Sequence, residues 1–133
     1  MATWEDVDRL ALALPETHEG TAYGHRAWKV KGKNVVWERP LRQSDHELLG
    51  PDAPDGPILG ARVEHEGAKQ ALLADDPAVF FTTPHFDGYP AVLVRLDAIA
   101  LDELEELITE AWLVQAPKPT AKAYLETRGG SVT

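Results

Sequence analysis

Arg26-Ala27-Trp28-Lys29-Val30-Lys31-Gly32-Lys33-Asn34-Val35-Val36-Trp37-Glu38-Arg39 is the stretch on which the fold turns. Two runs rich in β-branched and aromatic residues flank a glycine, the pattern of a β-hairpin. Gly32-Lys33 supplies a two-residue turn with glycine where φ must be positive. That choice places Lys31 opposite Asn34, Val30 opposite Val35 and Trp28 opposite Trp37. Strand side chains alternate between faces, so Trp28, Val30, Val35 and Trp37 are expected on the core side, with Lys29 and Lys31 on the other.

Before the hairpin, Thr3 followed by Glu5 and Asp6 reads as a capped helix start with acids in its first turn. Trp4, Val7, Leu10, Ala11 and Leu14 recur at helical spacing until Pro15. Residues 15–25 read as a loop. After the hairpin, residues 40–57 are rich in Pro, Asp and Gly and read as a loop, with one helical turn over 44–49. Strands are expected at 58–63, 78–83 and 91–96, with a helix over 66–74. Asp102 with Glu105 three residues on resembles a capping box. Leu104, Leu107, Ile108, Ala111 and Val114 follow as an apolar stripe, and a short helix is expected over 121–126.

Together these elements predict an α+β domain, with a central antiparallel sheet of about five strands and helices packed on one side. A single domain over 1–127 is expected, followed by a flexible tail over 128–133.

The chain has 133 residues, enough for a core without metal or disulfide support. It has no cysteine, which excludes disulfides, thiol nucleophiles and thiolate metal sites. No apolar run approaches membrane-spanning length, and the N-terminus lacks signal-peptide character, so a cytoplasmic location and a monomer are expected. The net charge is −9, yet residues 26–42 hold six cations and one acid, leaving −14 elsewhere. Charge separated in this way says more about partners than the total does.

Two stretches bear a family resemblance. One is Tyr23-Gly24-His25-Arg26-Ala27-Trp28-Lys29-Val30-Lys31-Gly32-Lys33. The other runs from Ala74-Asp75-Asp76-Pro77 through Phe80-Phe81-Thr82-Thr83-Pro84-His85-Phe86 to Gly88-Tyr89-Pro90-Ala91-Val92-Leu93-Val94. In this order and spacing the chain resembles the MmcQ/YjbR family of small bacterial proteins. The resemblance implies a compact α+β domain likened to double-wing DNA-binding and frataxin-like folds, and it implies DNA binding by fold analogy. This chain departs from the family in a longer 40–57 segment and in its acidity.

Two candidate sites follow. Lys29, Lys31 and Lys33, helped by Arg39 and Arg42, could contact DNA phosphates, with salt-sensitive binding; the same lysines could equally form a solvated strand face. Tyr23, Gly24, Thr83, Pro84, His85 and Tyr89 could line a groove between the Tyr23-Gly24 and Pro84–Pro90 loops and bind a small molecule or protein. The blander reading of those loops is a rigid turn. A third possibility is a basic partner docked on the acidic helix at 102–115.

His18, His25, His46, His65 and His85 match no metal-ligand spacing, and no metal is expected. No nucleophile elbow, phosphate loop or dinucleotide fingerprint is present, and the only serines are Ser44 and Ser131. The sequence therefore specifies neither catalytic residues nor a cofactor.

Overall fold

The computed structural model describes residues 2–54, 56–86 and 88–130. The elements run α1 (Trp4–Leu12), β1 (Thr17–Ala22), β2 (His25–Val30), β3 (Lys33–Glu38), α2 (Gln43–Leu49), β4 (Ile58–Arg62), α3 (Glu66–Asp75), β5 (Phe80–Phe81), β6 (Ala91–Arg95), α4 (Leu101–Gln115) and α5 (Lys118–Gly130). The fold is α+β, built on one six-stranded antiparallel sheet ordered β1-β2-β3-β4-β6-β5. Among the described residues no helix is long and apolar enough to cross a membrane.

The sixth strand is β1, from residues expected to form a loop. Its sequence, Thr-His-Glu-Gly-Thr-Ala, buries only Ala22 and has no apolar alternation. As an edge strand it is held by its ladder to β2 rather than by a buried face.

The register of the central hairpin also differs from expectation. The turn is Lys31-Gly32, with φ of 50° and 80°, so both central residues take the left-handed conformation of a type I′ turn. Val30 pairs with Lys33 and Lys29 with Asn34, but Trp28 pairs with Val36 and Ala27 with Trp37. Val35 is therefore a surplus residue, a β-bulge on β3. The bulge changes the parity of the strand. Val35 and Val36 join Trp28 and Val30 in one apolar cluster, whereas Trp37 joins Ala27 in the other. The two tryptophans expected on one face lie on opposite faces.

The larger cluster lies under α1 and α4. Val7 and Ala11 of α1, and Leu104, Leu107, Ile108, Ala111 and Trp112 of α4, pack on Trp28, Val30, Val36, Leu59, Ala61, Val92 and Val94. Trp28 donates its indole N–H to Asp8 (2.9 Å) and stacks at 6.3 Å on Trp4. The cap of α1 is as expected, with Thr3 Oγ1 accepting from the Asp6 N–H and the Thr3 N–H donating to the Asp6 carboxylate. The opposite face carries Ala22, Ala27, Trp37, Ile58, Phe81, Phe86 and Leu93. It is covered by Leu41 and by Leu49 of α2, so the helices are not all on one side.

Two helix boundaries move. Ala100 is the N-cap of α4 and makes no side-chain cap bond, so Asp102 does not form the expected capping box; it accepts instead from the neighbouring Glu103 N–H (3.0 Å). The last helix is longer than expected. Residues 128–130 continue α5, and residues 131–133 lie outside the described ones.

Candidate functional site

The face of the sheet opposite α1 and α4 holds a cleft of roughly 380 Å³. Its floor is Trp37. Gly60 lies directly opposite Trp37 in the β3–β4 ladder, and the indole rests where a Gly60 side chain would stand. Only glycine lets that ring lie flat on the sheet. Tyr23 and His25 close one end, Phe86 and Tyr89 the other, and Glu38, Arg39, Leu41 and Arg42 complete the wall.

Tyr23 enters through a tight turn. Tyr23-Gly24 is the second type I′ turn of the chain, with φ of 54° and 82°. Its left-handed conformation is the one the turn requires, as for Lys31 in the first, and it leaves the Tyr23 side chain 79% exposed.

Arg39 comes from the end of β3, beyond the bulge. It is only 6% exposed. Its Nη1 meets Asp45 of α2 at 3.1 Å and donates to the Pro40 carbonyl at 2.6 Å. Its Nε and Nη2 are buried and have no hydrogen-bond partner. The Phe86 ring stands 5.4 Å from the guanidinium carbon. Asp45 also accepts from the Arg42 N–H (2.9 Å), which ties the start of α2 to the cleft wall.

The opposite wall depends on a residue that sequence reasoning passed over. Lys69 of α3 is 1% exposed, and its ammonium donates to the carbonyls of Phe86 (2.6 Å) and Tyr89 (3.1 Å). These bonds fix the turn at Pro84–Phe86 and the chain after it. The available signal was position: Lys69 precedes Leu72 and Leu73 by three and four residues, on the inward face of its helix.

The structure thus joins two residues of each expected site. Tyr23 and Tyr89 from the loop set border the same cleft as Arg39 and Arg42 from the cationic set. Gly24 shapes the Tyr23 turn. Thr83 is buried beneath the loop with its hydroxyl unpartnered, and Pro84 is exposed outside the cleft. The His85 side chain lies outside the described residues, as does Asp87.

The three lysines do not form one outward row. Lys31 sits in the turn and pairs with Glu16 at 2.9 Å, which raises its pKa and lowers that of Glu16. Lys29 packs its methylenes against Gly20, on the Trp37 side of the sheet. Lys29 and Lys33 form no salt bridge with a described residue. Arg26 is engaged by Glu19 (3.0 Å) and Asp8 (3.4 Å). Among the described residues no three of His, Asp and Glu converge as metal ligands, and His65 instead caps α3 by accepting from the Ala68 N–H.

A sequence profile of the YjbR family matches residues 12–114. Uncharacterised proteins of Mycobacterium tuberculosis H37Rv and Mycobacterium bovis are each 56% identical over 132 residues, covering 97% of this chain and all of theirs. The crystal structure of Deinococcus radiodurans protein DR2400, a DUF419 domain, superposes with a TM-score of 0.66, covering 97% of this chain and 89% of that one; at 21% identity the likeness is one of fold. With a profile spanning most of its length and relatives more than half identical across it, the chain belongs to the YjbR family.

Proposed function

We propose that this protein is a small-molecule-binding module whose site is the cleft between the Tyr23-Gly24 turn and the Phe86–Tyr89 segment. The observation that carries this reading is the gathering of four aromatic residues, Tyr23, Trp37, Phe86 and Tyr89, around one open concavity on a rigid sheet. Pockets for ring-sized ligands are built in this way, from apolar walls with a few placed polar groups. The test is an NMR screen of small aromatic compounds against the full-length chain. Hits are expected to move the amide signals of Trp37, Arg39, Leu41 and Tyr89, and to weaken at least fivefold in Tyr23→Ala and Tyr89→Ala. A screen without hits, or hits indifferent to both substitutions, removes the reading.

A second reading is DNA binding. Its favouring observation is that Lys29 and Lys33 form no salt bridge with a described residue, which leaves two cations for phosphates. It ranks second because Lys31 is matched by Glu16, Arg39 is buried against Asp45, and the chain carries −9 overall. A gel shift at low salt decides it. Retardation that falls in Lys29→Ala/Lys33→Ala supports DNA binding, and no retardation discards it.

A further inference from the structure

We infer that the ligand of this cleft is a planar monocarboxylate on a ring-sized apolar body, and that Arg39 is the residue that selects it. The inference rests on the cleft being a binding site and adds the chemistry it recognises.

The argument starts from one guanidinium. An arginine offers five N–H donors in a rigid plane, and its Nε–Nη2 edge presents two of them in parallel. Here Nη1 is taken by Asp45 and the Pro40 carbonyl, while Nε and Nη2 are buried without an acceptor. Buried donors on a charged group are costly to leave unmatched, and native structures rarely do so without cause. The vacant pair is the one whose spacing suits both oxygens of a carboxylate.

The surroundings narrow the class further. Arg39 and Arg42 at the cleft are accompanied by the acids Glu38 and Asp45. The local balance is close to zero, so the site suits one added negative charge better than the two of a phosphate monoester. Trp37, Phe86, Tyr23 and Tyr89 supply the walls for a flat apolar body. Nε and Nη2 are shut off from solvent, so the acid must part the wall to reach them. The Phe86 ring, 5.4 Å from the guanidinium carbon and itself lining the cleft, is the neighbour such an acid would have to displace.

The test compares three probes on the full-length chain by titration calorimetry: benzoate, benzamide and phenyl phosphate. Benzoate is expected to bind roughly tenfold or more tightly than benzamide and than phenyl phosphate, a gap typical of a hydrogen-bonded charged group. Arg39→Lys keeps the charge beside Asp45 but lacks the paired edge, so it should bring the ratio of benzoate to benzamide affinity close to one. An arginine serving only to hold α2 would not move that ratio. Should Arg39→Lys fail to fold, the wild-type chain still decides through its arginine Nε–H signals, one of which should shift with benzoate and not with benzamide. Equal binding of benzoate and benzamide, stronger phenyl phosphate binding, or a benzoate preference intact in Arg39→Lys overturns the carboxylate assignment and leaves the cleft standing as a ring site. Binding of none of the probes, with an empty aromatic screen, removes both.

Discussion

The two faces of the sheet are built from similar residues and end in different conditions. On one, Trp28 is closed in by α1 and α4, its ring stacked on Trp4 and its N–H satisfied by Asp8. On the other, Trp37 is nearly as buried, yet it forms the floor of an open cleft that Leu41, Arg42 and Phe86 also line. The first face is largely closed by its helices, although a cleft of roughly 550 Å³ opens at its edge between α3 and α4, lined by Val63, Leu72, Phe80 and Leu107. The second retains unmatched donors on Arg39 and four aromatic residues around an open cleft. Unmatched donors on a buried arginine beside an aromatic cleft are what a binding surface looks like before its ligand arrives.

The largest effect should separate the tryptophans. Trp28→Ala leaves a closed cavity and is expected to cost about 3–5 kcal/mol in chemical denaturation. Trp37→Ala should cost less, because the space left is continuous with the cleft and open to water, and it should abolish ring binding. Equal losses would mean that the cleft floor is ordinary core.

Next in size is Gly60→Ala, whose methyl would collide with the Trp37 indole. A loss of about 1–3 kcal/mol is expected in the same assay, the range for overpacking. A neutral result would mean that the indole is free to move off the sheet.

Smaller still, and of opposite sign, is Tyr23→Asn. It installs Asn-Gly in a type I′ turn and should raise stability by about 0.5–1 kcal/mol by relieving the left-handed tyrosine. The same change should weaken ring binding, a trade of stability against function.

The smallest effect lies on the helix-covered side, whose outer surface is acidic. Partial burial, then Asp76, Asp102, Glu106 and Asp75, raise the Glu103 pKa above its ordinary value. Its charged form is thus disfavoured in the folded state. That penalty is full above the raised value, recedes as pH falls through it, and vanishes below the ordinary value. Glu103→Gln should therefore melt slightly higher than wild type at pH 7, with the difference disappearing below about pH 4. A constant difference across pH would point to packing instead.

Much of the first face was legible in the sequence, because helical spacing in 4–14 and 104–114 and the apolar strands at 58–63 and 91–96 carry their own periodicity. The second was legible only in pieces. Tyr23 and Tyr89 are expected to flank one groove, but nothing local says that Trp37 and Arg39 join them there. Arg39 read as a surface cation because no sequence pattern ties it to Asp45, the acid that draws it inward from the helical turn at 44–49. β1 escaped because an exposed edge strand has no alternation to find. Lys69 escaped because its partners are backbone carbonyls, which no sequence pattern marks.

The surplus residue at Val35 has a consequence of its own. It acts as a frameshift in space: every side chain of β3 after it changes sides, so Trp37 and Arg39 reach the cleft by count rather than by composition. Among relatives, a one-residue deletion between Asn34 and Val36 would therefore leave an unremarkable strand while carrying the floor and the guanidinium through to the helix side. Length in this short segment is a better marker of a shared site than identity at either residue.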